Sequence, residues 1–131
     1  MKNTHLRKDA LERLIMLLQE LKDYVDVVIV EGLRDVHSLR VLGCDAHIEA
    51  LSHVGVNDFD FAEQISSKYN HVLILTDFDK EGQNLNQKFS SLFERKGVVV
   101  ETGFRRRIAR HMAIIGVYVI ESLDNIQDKI E

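Results

Sequence analysis

Val27-Val28-Ile29-Val30-Glu31-Gly32 is one of two stretches that decide the fold, and the other is Val72-Leu73-Ile74-Leu75-Thr76-Asp77-Phe78-Asp79-Lys80-Glu81-Gly82. Each is a short apolar run, typical of a β-strand buried on both faces, and each continues into acidic residues and a glycine. Ligands of open α/β sheets bind outside the carboxyl ends of such strands. The three carboxylates at these two ends therefore predict a shared site.

The composition excludes several classes of protein. The chain has 131 residues, of which 45% are hydrophobic and 29% charged, which suits one globular domain. No apolar stretch is long enough for a membrane span or has the form of a signal peptide, so we expect a cytoplasmic protein without a membrane partner. The single cysteine, Cys44, cannot form an internal disulfide. A net charge of −4 argues against a general nucleic-acid coat protein, so any contact with nucleic acid should be local or metal-bridged.

Helical and strand patterns alternate along the chain. Helices are predicted over Thr4–Asp23, Leu33–Leu42, Phe61–Lys68, Gly82–Lys96 and Phe104–Met112, and strands over Val25–Val30, His47–Leu51, His71–Thr76 and Val98–Glu101. We expect a loop over Val54–Asp60, with Asp58 or Asp60 capping the next helix, and a short extended piece over Val117–Ile120 before an acidic helix. The expected division is an N-terminal amphipathic helix, residues 1–24, a core domain, residues 25–110, and a C-terminal extension, residues 111–131.

This alternation predicts an α/β fold, a doubly wound, mainly parallel four-stranded sheet flanked by helices and Rossmann-like in its layout. In the common strand order 2-1-3-4, the switch point falls between strands 1 and 3. Glu31 ends strand 1, and Asp77 and Asp79 follow strand 3. Topology alone would bring the three acids together.

The acids predict metal chemistry. Residues two apart in an extended segment point the same way, so Asp77 and Asp79 can face one site while Phe78 turns toward the body of the protein. A divalent cation relieves the repulsion among three carboxylates, and all-oxygen ligands favour Mg²⁺, with Mn²⁺ as a substitute and one or two ions bound. Besides protein carboxylates, Mg²⁺ commonly binds oxygens of a substrate phosphate. Glu31 is either a metal ligand or a general acid/base, and the alternative for all such acids is a role as helix caps.

Several neighbours are candidates for supporting roles. Asp35 stands where a helix begins and is also a candidate neighbour of the site; Lys80 can reach a phosphate, and Gly32 and Gly82 would allow close approach to a ligand. The one basic cluster comprises Arg105, Arg106, Arg107 and Arg110. These arginines either contact a nucleic-acid backbone or pair with the acidic tail, which carries Glu121, Asp124, Asp128 and Glu131.

The motifs at Val28–Gly32, at Asp35 and at Thr76–Gly82 resemble the Toprim domain, which occurs in topoisomerases, bacterial-type primases, nucleases and the small ribonuclease that matures ribosomal RNA. The stretch Glu31–Gly43 looks most like the small stand-alone Toprim proteins common in archaea. The resemblance implies that Glu31 is a metal ligand or general acid/base and that Asp77 and Asp79 hold Mg²⁺. Leu33 departs from the pattern, since many relatives have lysine there, and this removes a phosphate contact.

The resemblance implies phosphodiester chemistry on RNA or DNA, and the first hypothesis is a Mg²⁺-dependent nuclease. The alternative is a non-catalytic metal-binding subunit that serves a larger nucleic-acid-processing complex through a protein partner. A third reading, a phosphatase-like enzyme acting on small molecules, rests on analogy of fold alone. The oligomeric state is left open by the sequence.

Overall fold

The computed structural model describes residues 3–52 and 56–130, and within these ranges the chain forms six α-helices and four strands. In chain order these are α1 (Thr4–Glu20), β1 (Val27–Val30), α2 (Leu33–Val41), β2 (Ile48–Ala50), α3 (Asp58–Lys68), β3 (His71–Ile74), α4 (Lys80–Arg95), β4 (Val99–Glu101), α5 (Gly103–Ile115) and α6 (Ile126–Ile130). Short 3₁₀ segments cover Leu21–Asp23 and Ile120–Asn125. None of the described helices is long and apolar enough to cross a membrane.

The four strands form one parallel sheet in the order β2-β1-β3-β4. Val28 of β1 lies between Ile48 of β2 and Leu73 of β3. The predicted α/β class, the parallel pairing and the strand order are therefore confirmed. Since β1 and β3 are neighbours, the residues that follow them leave the sheet side by side, at its switch point.

Both faces of the sheet are buried, as expected for parallel strands joined by helices. Because side chains alternate across a strand, Val28 and Val30 of β1 face one core while Val27 and Ile29 face the other. The first core lies against α1, α2, α5 and the C-terminal segment, and the second lies against α3 and α4. In α4 the spacing of Phe89 and Phe93 places both rings in the second core.

Three helices begin earlier than the sequence predicts: α5 by one residue, and α3 and α4 by more. Helix α3 begins at Asp58, inside the expected loop, because the side chain of Asn57 accepts a hydrogen bond from Asp60 N at 2.8 Å and caps the helix. The expected caps, Asp58 and Asp60, are instead in its first turn. Residues 54 and 55 of the expected loop lie outside the described residues. Helix α4 begins at Lys80, two residues before the predicted start, because Asp79 is its cap.

The expected extended piece, Val117–Ile120, does not pair with the sheet in the described chain; Val119 has an extended backbone, and Ile120 begins a 3₁₀ segment. It lies instead against the segment that follows β3, where Phe78 N donates a hydrogen bond to the carbonyl of Tyr118 at 2.8 Å. The acidic segment after it packs inward, as expected, through Leu123, Ile126 and Ile130, which are all buried. The C-terminal extension therefore reaches the carboxyl end of β3, where the candidate acids lie.

Candidate functional site

Glu31 joins the ends of the two central strands. It follows β1 directly, and its Oε2 accepts a hydrogen bond from Asp77 N at 2.8 Å. One candidate acid thus holds the backbone of another at the switch point. The predicted meeting of the two strand ends is confirmed.

Asp77 and Asp79 each use one carboxylate oxygen to hold a backbone N–H. Asp77 Oδ1 accepts a hydrogen bond from Ile120 N, and Asp79 Oδ1 accepts one from Gly82 N, both at 2.8 Å. The helix-cap interpretation is therefore correct for one oxygen of Asp79. The second oxygens of Glu31, Asp77 and Asp79 have no hydrogen-bond partner within residues 3–52 and 56–130. We call these three residues the carboxylate site.

Burial, together with neighbouring negative charges, makes the carboxylate site costly to ionise. Burial raises the pKa of Asp77 to about 6, helped by the negative charges of Glu31, Asp35 and Asp79 and opposed by the hydrogen bond from Ile120 N. Burial also raises the pKa of Glu31, against the hydrogen bond from Asp77 N, and nearby acids add to the effect. Groups that are costly to ionise together gain from a cation placed among them.

The raised pKa of Asp77 predicts a pH dependence for the metal-free protein. Its free energy of unfolding is expected to fall as the pH rises from about 4 to about 6, because Asp77 loses its proton near 3.8 when unfolded and only near 6 when folded. The folded state binds more protons in this window, so each pH step upward disfavours it. Urea denaturation in EDTA across these pH values measures the decline. It should be shallower in Asp77→Asn, and identical slopes would contradict the prediction.

The oxygens of the carboxylate site fit a Mg²⁺ ion that takes only part of its ligands from the protein. Among the described residues, no three His, Cys, Asp or Glu side chains are gathered closely enough to enclose an ion by themselves. Mg²⁺ does not need such an enclosure, because it keeps several waters and typically binds one or two carboxylates together with substrate phosphate. Free oxygens on Asp77 and Asp79, with Glu31 beside them, match that pattern.

Gly82 is required by a close backbone approach. A Cβ atom at this position would lie 2.0 Å from the carbonyl oxygen of Asp77, so no side chain fits. Thr76 fixes the same approach, since its buried Oγ1 donates a hydrogen bond to the carbonyl of Gly82 at 2.6 Å. The sequence predicts that Gly82 allows close approach to a ligand; in the structure it allows the close approach of the Asp77 backbone.

Gly32 and Asp35 organise the start of α2. Gly32 has an extended backbone, and Asp35 Oδ2 accepts a hydrogen bond from Gly32 N at 3.0 Å. The side chain of Asp35 is buried, and its charge contributes to the raised pKa values of Glu31 and Asp77. Asp35 is therefore a helix-start residue that also belongs to the surroundings of the carboxylate site. Leu33, beside it, is 77% exposed.

Comparison with known proteins agrees with this geometry. The sequence pattern of the Toprim domain matches residues 26–111. The chain belongs to the Toprim family. A UPF0292 protein of the archaeon Methanosarcina barkeri is 37% identical over 111 residues, which cover 82% of this chain and 76% of that protein. A UPF0292 protein of Thermococcus gammatolerans is 37% identical over 76% of this chain and 72% of the relative.

A solved structure extends the likeness to the fold. A putative protein from Aquifex aeolicus superposes with a TM-score of 0.68 at 26% identity, covering 85% of this chain and 95% of that one. Toprim domains generally bind Mg²⁺ and act on nucleic acids. Membership thus indicates a metal-dependent function related to nucleic acid.

Arg105 is not a surface residue of this Toprim protein. Its side chain is only 8% exposed, and its guanidinium donates hydrogen bonds to the carbonyls of Ile74 at 3.0 Å, Thr76 at 2.9 Å and Asp77 at 3.3 Å. Burial lowers the pKa of Arg105 to about 10, against the opposing charges of Asp77 and Glu31. The prediction that it contacts a nucleic-acid backbone is therefore wrong, because its donors already hold the end of β3.

Arg105→Ala is expected to lower the free energy of unfolding by about 2 kcal/mol, because it leaves buried carbonyls without a donor. Arg106→Ala is the matched control. Arg106 is exposed on the same helix, so its loss should change stability by no more than about 0.5 kcal/mol. Urea denaturation of both variants measures the difference, and equal effects would show that Arg105 does not support the strand end.

The other arginines of the cluster face different surfaces. Arg106 lines a cleft with Phe78, next to the carboxylate site, whereas Arg107 lines a hollow between α1 and α5 with His111. The pKa of His111 is lowered mainly by burial, and the nearby positive charge of Arg110 adds to this effect. The four arginines therefore form no single binding face.

The alternative interpretation of the cluster, pairing with the acidic tail, also finds no support in the described chain. Within it, Arg106, Arg107 and Arg110 form no ion pair, and the tail acid Glu121 lies 3.8 Å from Arg34 instead. Glu131 lies outside the described residues. Lys80, the phosphate-contact candidate, is exposed at the first position of α4, next to Asp79.

Two supporting residues, Thr76 and Ile120, are not indicated by the sequence. Thr76 was assigned only to a strand end, and Ile120 only to an extended piece, yet one fixes the backbone around Gly82 and the other holds Asp77. No local pattern signals a backbone N–H that arrives from 43 residues away. The burial of Arg105, by contrast, follows helical spacing, since Arg105, Ile108, Met112 and Ile115 all lie on the buried face of α5.

Proposed function

We propose that this Toprim protein is a cytoplasmic Mg²⁺-dependent nuclease that acts on phosphodiester bonds of RNA or DNA. The observation that supports it best is the carboxylate site, where three acids at the switch point each keep one oxygen free of protein hydrogen bonds. Such oxygens are the ligands Mg²⁺ prefers, and Mn²⁺ would substitute.

The residues divide the work by position. Asp77 and Asp79 would hold one or two ions, which when bound neutralise charge on the phosphate oxygens. Glu31 either completes the ligand set or exchanges a proton with the attacking water or the leaving group, and its raised pKa suits the second role. Lys80, exposed beside Asp79, would bind a phosphate oxygen.

Cleavage by the pure protein tests this function. End-labelled structured RNA, single-stranded RNA and DNA are incubated with Mg²⁺, with Mn²⁺ and with EDTA, beside Glu31→Gln and the control Glu94→Gln, which changes an exposed acid on α4. We expect cleavage that needs metal, is lost in Glu31→Gln and is kept in the control. Cleavage that survives EDTA, or that Glu31→Gln performs at the wild-type rate, would contradict the proposal.

One observation favours the alternative function, a non-catalytic metal-binding subunit of a larger nucleic-acid-processing complex. The exposed arginines of α5 are divided between two surfaces, so few cations lie beside the carboxylate site to hold a long substrate. A protein that binds Mg²⁺ but cleaves no substrate, and that copurifies with a stoichiometric partner, would replace the nuclease by this subunit.

A further inference from the structure

A cleft between α4 and α5 opens beside the carboxylate site. It lies beyond the carboxyl end of β4 and has a volume of about 290 Å³. Its lining includes Phe78, Gln83, Asn86, Glu101, Arg105 and Arg106. Ligand sites in proteins begin at roughly 300 Å³, so this cleft suits a ligand no larger than one base with part of its sugar.

Two residues of the cleft lining, Phe78 and Arg105, are held in place by contacts of their own. Phe78 forms part of its wall, and the guanidinium carbon of Arg105 lies 4.5 Å from the centre of that ring. Arg105 is itself held by hydrogen bonds to the carbonyls at the end of β3, and Phe78 N donates a hydrogen bond to the carbonyl of Tyr118. An apolar ring held in this way presents a preorganised surface, which lowers the entropy cost of binding.

The outer part of the cleft carries polar side chains without partners. Gln83, Asn86 and Arg106 make no side-chain hydrogen bond within the described residues, whereas the one acid of the lining, Glu101, accepts a hydrogen bond from Phe104 N and pairs with His71. Carboxamides offer a donor and an acceptor together, which is the pattern needed to read the edge of a base. A bare phosphate would use the arginine but neither the amides nor the ring.

We propose that the α4–α5 cleft binds one base of a single-stranded nucleic acid, with Asn86 and Gln83 on the base edge, Phe78 against the base and Arg106 on the adjoining phosphate. Single strands are recognised by this combination of apolar ring, amide and cation. The inference rests on the proposed function, since it identifies where a flanking nucleotide of the same substrate would bind.

Two residues of the cleft, Phe78 and Arg105, connect it to the carboxylate site. Phe78 stands between Asp77 and Asp79 in the chain, and Arg105 Nη2 donates a hydrogen bond to the carbonyl of Asp77 at 3.3 Å. A base held in the cleft would therefore place a neighbouring phosphate toward the carboxylates. The protein should consequently prefer certain bases next to the bond it acts on.

Binding of labelled hexanucleotides in EDTA tests this inference. Fluorescence anisotropy is measured for RNA and DNA hexamers that differ only in one central position, which is A, C, G, U or T, or abasic. We expect one base to bind best and the abasic strand to bind at least about fivefold more weakly, the lower end of the contribution of one base-edge contact. Asn86→Ala should remove that difference, while Gln87→Ala, an exposed amide on the same helix outside the cleft, should keep it.

The outcomes separate this inference from the proposed function, because EDTA removes the metal from the binding assay. Base preference that is lost in Asn86→Ala supports the cleft even if no cleavage is found. Equal affinity for all hexamers, or a preference that Asn86→Ala leaves unchanged, overturns the cleft even if the protein cleaves nucleic acid with Mg²⁺.

Discussion

Gly82→Ala is expected to lower the free energy of unfolding by about 3 kcal/mol, the upper end of the usual cost of overpacking. The added methyl group would lie 2.0 Å from the carbonyl oxygen and 2.8 Å from the nitrogen of Asp77. Both neighbours are backbone atoms, and the buried hydroxyl of Thr76 ties the two segments together, so neither can move away cheaply. Denaturation in urea measures the loss.

The second strand-end glycine supplies the control. Gly32→Ala would place its methyl group 3.8 Å from Ser52 Oγ, in an extended backbone that alanine adopts readily. Its stability should stay within about 0.5 kcal/mol of the wild type. If Gly82→Ala were equally harmless, this would contradict the close packing of the first turn of α4 against the segment that follows β3.

Asp77→Asn is expected to lower Mg²⁺-dependent cleavage at least about 100-fold, the upper end of the cost of losing even an outer-shell partner of a metal ligand. The amide keeps an oxygen that can accept the hydrogen bond from Ile120 N, so the C-terminal segment should remain in place. It also removes a carboxyl group whose ionisation is opposed by burial and by the negative charges of Glu31, Asp35 and Asp79. The variant should therefore fold normally in the absence of metal.

The rate of cleavage and the melting temperature, measured on the same samples, separate loss of activity from loss of fold. Asp124→Asn, which changes an exposed acid of the C-terminal segment, should behave as the wild type in both. An Asp77→Asn protein that cleaves at the wild-type rate would show that Asp77 holds no catalytic metal.

The central strands and the meeting of the acids could be predicted because both depend on simple rules. Apolar runs without alternation predict strands buried on both faces, and the doubly wound order places strands 1 and 3 side by side. The proximity of Glu31 and Asp77 can then be predicted without any knowledge of side-chain packing. Their roles as ligands remain predictions, tested by the metal experiments.

Two features differ from the sequence prediction, and for different reasons. Arg105 was grouped with its neighbours by charge, although helical spacing with Ile108 and Met112 indicates the buried face of α5. The sequence predicts an extended piece over Val117–Ile120, but not that the Tyr118 carbonyl and Ile120 N bind the segment that follows β3. Local composition cannot show which backbone groups a segment will pair with.

The claim that the carboxylate site binds Mg²⁺ is tested most directly by locating a bound Mn²⁺ ion with NMR. In titrations of the ¹⁵N-labelled protein with Mn²⁺, which broadens nearby amide signals, we expect the signals of Glu31, Gly32, Asp77 and Asp79 to disappear first. Those of Asp26 and Asn70, at the opposite end of the same strands, should remain. Mg²⁺ in excess should restore the lost signals. Broadening centred on the acids of the C-terminal segment, or none near β1 and β3, would contradict the metal site.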